Sequence, residues 1–177
     1  NGSIIVTGSI DLTGTRLPEL PRFGMRMELQ QSYENLTYYG RGPLENYIDR
    51  YSSSFIGRYE DKVENQFYWY IRPQETGNKT DVRWLALLNS EGEGVKITGL
   101  QPIAFSALHF SPEDLDPGLT RKLQHTIDIV PQKNIFLHVD LKQRGLGGDN
   151  SWGMYPYNKY RLLDKKYVYS YMIELID

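Results

Sequence analysis

The sequence contains no cysteine. That excludes disulfide staples, thiolate metal sites and a cysteine nucleophile, and leaves the compartment open. Histidine is scarce as well, with only three in the chain. His109, His125 and His138 fall on separate segments without the spacing of a metal-binding pair, so they read as surface or core side chains. No apolar run approaches the ~20 residues of a membrane span, and the N-terminus has neither the basic start nor the apolar core of a signal peptide. A piece of a larger protein would look the same. No charge of one sign dominates: 20 Lys and Arg face 22 Asp and Glu, for a net charge of -2. The chain therefore carries no basic field for nucleic acid and no polybasic membrane footprint, and neither is expected as a partner.

What is present is a foldable chain rich in aromatic rings. Its 177 residues fit one core, and the 40% hydrophobic and 24% charged content is that of a globular domain. Tyrosine leads the aromatics, with 14 Tyr, 6 Phe and 3 Trp. Tyrosine suits half-buried strands, where the ring packs and the hydroxyl stays wet, and Trp and Tyr also make platforms for sugars.

The hydrophobic pattern has mostly period two. Ile135, Leu137, Val139 and Leu141 point one way, and Phe136, His138 and Asp140 the other, as in a strand with one face on a core. Leu123, His125, Ile127 and Ile129 alternate similarly, and residues 130–134 would turn the chain back as a hairpin. The run from Tyr167 to Ile176 sets Tyr167, Tyr169, Tyr171, Ile173 and Leu175 on one side. Further strands are expected at Ile4–Leu12, Gly24–Gln31, Asn35–Gly40, Ser54–Tyr59, Arg83–Asn89, Val95–Gly99 and Ile103–Phe110. One short helical turn is expected at Ser111–Leu115, where Ser can cap and Pro suits the first helical position. Glu113, Asp114 and Asp116 beside it lack the spacing of a calcium loop and read as a solvated cap. The fold class expected is all-β, a large antiparallel β-sandwich, with residues 1–21 as a lead-in strand and connector and 22–177 as the domain around one core. Without βα alternation, the chain can be neither a dinucleotide fold nor a (β/α)8 barrel.

Three stretches are too rich in glycine, rings and charge for plain turns: residues 39–50, 72–84 and 145–153. In the first, Glu45 and Asp49 could be imagined as paired carboxylates for glycoside hydrolysis, but Arg41 and Arg50 favour internal ion pairs holding an irregular loop. In the second, Glu75 and Asp81 are expected to pair with Arg72 and Arg83. The third stretch has four glycines that free the backbone for close approach, while Asp149, Asn150 and Ser151 offer donors and acceptors beside the indole of Trp152. That set suits a sugar, whose hydroxyls need paired donors and acceptors and whose C–H face packs on an aromatic plane; a satisfied loop around a buried Trp is the other reading. Asn-x-Thr triplets stand at Asn35 and Asn78 and count as chance occurrences unless the host glycosylates.

Taken together, Gly40–Arg50, Pro73–Asn78 and Gly147–Trp152 resemble, in order and spacing, the last domain of the large bacterial β-galactosidases of glycoside hydrolase family 2. The resemblance runs from about Leu17 to the C-terminus. It implies a supersandwich related to galactose mutarotase, following a (β/α)8 barrel that holds the catalytic glutamates and the magnesium and sodium ligands. No catalytic residue, metal ligand or cofactor of its own is then expected in this chain. The sugar contact falls on Trp152, with Asp149, Asn150 and Ser151 beside it as substrate-binding residues. Asn150 stands where the best-known member of that family carries an acid. The expected partners are the barrel and other domains of a parent enzyme, β-galactosides, and further copies in a homo-oligomer, in a bacterial cytoplasm or periplasm. An apolar, aromatic-rich face should lie bare where those domains pack. A stand-alone aldose 1-epimerase and a galactose-binding module are the alternatives. The three histidines do not sit in the His-pair-and-Glu pattern of the former.

Overall fold

The computed structural model describes residues 2–116, 118, 124–150 and 153–177. The protein is all-β. The described residues form eight strands: β1 (Ser3–Asp11), β2 (Arg22–Leu29), β3 (Asn35–Gly42), β4 (Phe55–Lys62), β5 (Lys79–Leu88), β6 (Gly94–Leu108), β7 (Ile135–Gln143) and β8 (Lys166–Ile176). All pairings are antiparallel. The main path runs β1-β8-β6-β5-β3-β4, and a second arm branches from β6 through β7 to β2.

The branch is the organising feature. The first part of β6, Gly94–Gly99, pairs with β8, and its last part, Ala104–Leu108, pairs with β7. The two strands expected at Val95–Gly99 and Ile103–Phe110 are thus one long strand that changes partner midway. A Cβ on Gly99 would stand 2.3 Å from the carbonyl oxygen of Gln101, so only glycine fits that bend. Pro102, which cannot donate to a ladder, falls between the two pairings.

The β7–β2 arm then lies over β8 to close a sandwich. Tyr169 donates its hydroxyl to the carbonyl of Val139 at 2.9 Å, and the Phe23 ring packs on Tyr167 and Tyr169 at 5.7 and 5.6 Å. The alternating tyrosines of β8 supply this seam with buried rings, and the hydroxyls of Tyr169 and Tyr171 find acceptors in the Val139 carbonyl and the Met25 sulfur. Leu36, Leu85, Ile97, Phe105, Leu137 and Tyr171 fill the main core from five strands. A smaller core gathers Phe67, Leu108, Phe110, Leu115 and Ile129.

Two expectations about strands are corrected. The run ending at Ile129 is no strand in its described part: residues Thr126–Asp128 form a 3₁₀ turn, with Ile127 89% exposed and Ile129 buried in the smaller core. The Asp128 carboxylate accepts the His125 backbone N–H at 2.8 Å, a local bond that competes with a ladder. Residues 119–123 lie outside the described residues. On β7 the second face is also buried, where the pattern implied one face to solvent. Phe136, His138 and Asp140 are covered by Arg22, the loop at 74–76 and the short helix α1 (Pro112–Leu115). That helix forms as expected: Ser111 and Asp114 cap each other's backbone N–H groups at 3.2 and 2.7 Å.

Candidate functional site

The irregular turn after β3 is built on Asn46, which is fully buried. Its side-chain amide donates to the carbonyls of Arg41 and Leu44 at 3.1 and 3.0 Å, and its oxygen accepts the N–H and hydroxyl of Thr80 at 2.9 and 2.6 Å. The Asn46 backbone N–H donates to the carbonyl of Asn78, whose side chain donates back to the Asn46 carbonyl. Asn78 is thereby committed to the interior, and its Asn-x-Thr triplet is no surface acceptor. Beside it, Glu45 collects four donors: Arg50 at 2.7 Å, the Tyr70 hydroxyl, the Thr76 hydroxyl at 3.0 Å and the Gly77 N–H at 2.7 Å. A carboxylate so fully engaged is a structural strut.

The arginine pairings differ from those expected in the second stretch. Asp81 pairs with Arg41 at 2.5 Å, Glu75 pairs with Arg22 at 3.3 Å, and Arg83 donates to the backbone carbonyl of Asp81. The expectation weighed only neighbours in sequence, whereas β3–β5 pairing brings Arg41 near Asp81 and Arg22 reaches the loop at 74–76 from β2.

The glycine-rich stretch is held at its base by the first one. Asp49 accepts the Gly147 N–H at 2.7 Å, and Gly145 donates its N–H to Tyr160 at 2.8 Å. A Cβ on Gly145 would lie 2.5 Å from the Asp49 carboxyl, and one on Gly148 would lie 2.2 Å from the carbonyl of Met154. Both glycines are therefore required by close approach. A second clamp sits on Glu19, buried between Arg144 at 2.9 Å and Arg161 at 2.5 Å. Both guanidinium groups also lie over the Tyr155 ring, at 5.4 and 4.5 Å. Asp149 and Asn150 stand exposed on this loop. Ser151 and Trp152 lie outside the described residues. The three stretches singled out in sequence are thus joined: 39–50 bonds to 76–81 through Asn46 and Glu45, and to 145–147 through Asp49.

Sequence reasoning missed a second polar cluster, on β2 and β7. Arg22 donates twice to Asp140, at 2.6 and 3.0 Å, and reaches Glu75 and Gln143 at 3.3 and 3.2 Å. Asp140 is 1% exposed. Burial raises the Asp140 carboxyl against the opposing pull of Arg22, and burial likewise raises Glu75. A signal for this cluster did exist: Gly24 sits in register with Asp140, and a Cβ there would come within 1.8 Å of the carboxylate. A glycine inside a strand marks such an approach. Lys79 was missed too; it is buried, bonded to Gln66 at 2.9 Å and to the Gly77 carbonyl at 3.3 Å, and desolvation lowers its ammonium to about 8. Among the described residues no group of three His, Asp or Glu side chains could hold a metal ion.

The family model for the β-galactosidase small chain matches residues 2–173. The β-galactosidase of Priestia megaterium is 38% identical over 146 residues, covering 82% of this chain and 14% of that protein. The β-galactosidase of Streptococcus thermophilus is 33% identical over 175 residues, 98% of this chain and 16% of that protein. That of Halalkalibacterium halodurans is 33% identical over 150 residues, 84% of this chain and 14% of the relative. The chain thus spans a small part, 14 to 16%, of the length of these curated relatives.

Proposed function

The chain belongs to the β-galactosidase small-chain family, and from that premise we propose that it is the C-terminal accessory domain of a retaining β-galactosidase, lending the loop at 145–153 to an active site on a (β/α)8 barrel outside this chain. The indole of Trp152 is the sugar platform, and Asp149, Asn150 and Ser151 are the polar groups beside it. The acid/base and nucleophile glutamates belong to the barrel.

The observation that carries this reading is the joining of the three stretches under one loop. Asp49 and Glu19 anchor the loop's base while Asp149 and Asn150 reach solvent. A loop that positions an aromatic platform for a neighbouring site needs a fixed foot. The engagement of Glu45 by four donors argues against a catalytic part for it, since an acid or nucleophile must keep an oxygen open to substrate. Exposed apolar side chains also fit a domain that packs on others. Leu44 and Tyr68 flank one groove, and Trp69 stands 58% exposed on the edge of Phe67.

The test is made in the parent enzyme. Trp152→Ala should lower kcat/KM for a chromogenic β-galactoside by about tenfold to a hundredfold, in line with the loss of a stacked sugar contact of 1–3 kcal/mol. An unchanged kcat/KM would reduce the loop to a structural element. The isolated chain should show no turnover of the same substrate, and activity that persists through repurification would overturn the assignment of the glutamates to the barrel.

A further inference from the structure

A cleft of about 210 Å³ opens over the face of β6 and β7 that carries Ser106, Phe136 and His138. Its floor is Ser106 and His138, cross-strand partners in the ladder and therefore side by side on one face. Ser106 is 4% exposed and His138 8% exposed. Among the described residues, neither the Ser106 hydroxyl nor either ring nitrogen of His138 has a hydrogen-bond partner. Their polar atoms are not sealed in but open to the cleft, so two adjacent side chains with unused donors and acceptors are available to bond whatever occupies it. Ordered water can serve, but the cavity is larger than water requires: about 150 Å³ already takes up a benzene ring.

The chemistry of the walls narrows the occupant. Phe110, Leu115 and Phe136 make one side apolar, while Glu75 and Arg22 stand on the other. An anion is poorly served, because both nearby arginines are taken: Arg22 by Asp140 and Glu75, and Arg26 by Glu113 at 2.7 Å. Of the two carboxylates on the lining, Glu75 is paired with Arg22 and Asp116 accepts the Gly118 N–H at 2.8 Å, so a cation would meet Arg22 and an imidazole that burial, and then Arg22 and Arg26, hold neutral by lowering it to about 4. Neutral imidazole offers one donor and one acceptor, and the serine hydroxyl offers both. These suit hydroxyl groups, which need both, under a ring whose C–H face lies on the aromatic wall.

We propose that this cleft binds a neutral hydroxylated ring of monosaccharide size, with Ser106 and His138 as its polar floor. It uses none of the loop residues 145–153 and does not rest on the role proposed for them. At about -0.3 kcal/mol per heavy atom over roughly a dozen atoms, affinity should be near 1 mM.

The experiment is a titration of the 177-residue chain with D-galactose, followed by NMR of the three histidine side chains. The His138 ring resonances should shift saturably with a midpoint near 1 mM, while His109 and His125 stay in place; sodium acetate at the same concentration should move none of them. Ser106→Ala, which keeps the His138 reporter, should raise the midpoint about fivefold to tenfold. The proposal is overturned if His138 does not respond to galactose, if acetate moves it instead, if all three histidines drift together without saturation, or if Ser106→Ala leaves the midpoint unchanged. Turnover is not read at all, so this result and that of the Trp152→Ala experiment fail or succeed separately.

Discussion

Glu45 and His138 are both polar side chains in the interior of one small domain, and they are treated in opposite ways. Around Glu45 and Asn46 the acceptors and donors are matched by arginine, tyrosine, threonine, asparagine and backbone groups. Around His138 and Ser106 no side-chain bond is made among the described residues, and both line a cavity. Burial of a residue alone therefore does not distinguish a strut from a site; what matters is whether its polar atoms are spent on the fold, as those of Glu45 and Asn46 are, or open onto a cavity. The same contrast sets what each region should lose on mutation.

The largest effect is expected at the turn after β3. Asn46→Ala removes four side-chain bonds and strips the buried Thr80 N–H and hydroxyl of their shared acceptor. At 1–3 kcal/mol for each group left unsatisfied, with partial relaxation, the loss of unfolding free energy should be about 4 kcal/mol. Urea denaturation measures it. A loss below about 1 kcal/mol would mean that water replaces the asparagine, and the distinction between frame and cleft would fade.

Next in size is the ion pair on β2 and β7. Asp140→Ala strands Arg22 with only Glu75 and Gln143. Breaking a buried pair from one side usually costs 3–5 kcal/mol, and because Arg22 is partly exposed, about 3 kcal/mol is expected by the same denaturation. Gly24→Ala should cost a comparable amount, since its Cβ displaces the same carboxylate.

These two clusters also mark how far the sequence could be read. Strand positions were legible because period-two alternation survives wherever one face meets the core, as along β8. The helical turn at Pro112–Leu115 was legible because its cap is local in sequence. Even the polar turn at 39–50 could be recognised as framework from its crowding of charge. The partners of those charges could not, because Arg22 and Asp140 are separated by most of the chain and only ladder register brings them together. The second buried face of β7 was hidden for a related reason. Its pattern of Phe136, His138 and Asp140 is what a wet face would show, and the cover comes from a helix and loop distant in sequence. The strand expected before Ile129 failed on a local competitor, the Asp128 side chain. As for the loop proposed to face a sugar, its foot on Asp49 is a tertiary fact that glycine spacing alone only hints at.

A smaller effect is expected from pH. The His138 ring sits at about 4 in the folded protein, against about 6.5 when free. Above the free value it is neutral in both states and contributes nothing. As pH falls from 6.5 towards 4, the unfolded chain takes up a proton that the folded one refuses, so stability is lost, and below 4 the loss levels off. Its size should be about 2 kcal/mol, less than the full shift implies because the cleft admits water. Glu75 and Asp140, both raised by burial, act in the opposite direction over the acid range, so the comparison must be made against His138→Gln. The variant should gain on the parent chain between pH 7 and pH 4.5; parallel profiles would show that the ring is wet or paired.

The smallest effect sharpens the contrast most. Ser106→Ala removes a hydroxyl that is as deeply buried as many structural ones, and by burial alone it should cost what a lost hydrogen bond costs, about 1 kcal/mol. Among the described residues its hydroxyl has no partner to strand, however, and alanine leaves the apolar wall in contact. Stability should therefore change by less than about 0.5 kcal/mol, while the galactose midpoint at His138 rises severalfold. A residue that the fold does not need and the ligand does is separated from Asn46 in both measurements at once. Were Ser106→Ala instead to cost as much as a bonded serine, its hydroxyl would be satisfied in solution by water or by a neighbour, and the cleft would belong with the turn after β3 as part of the frame.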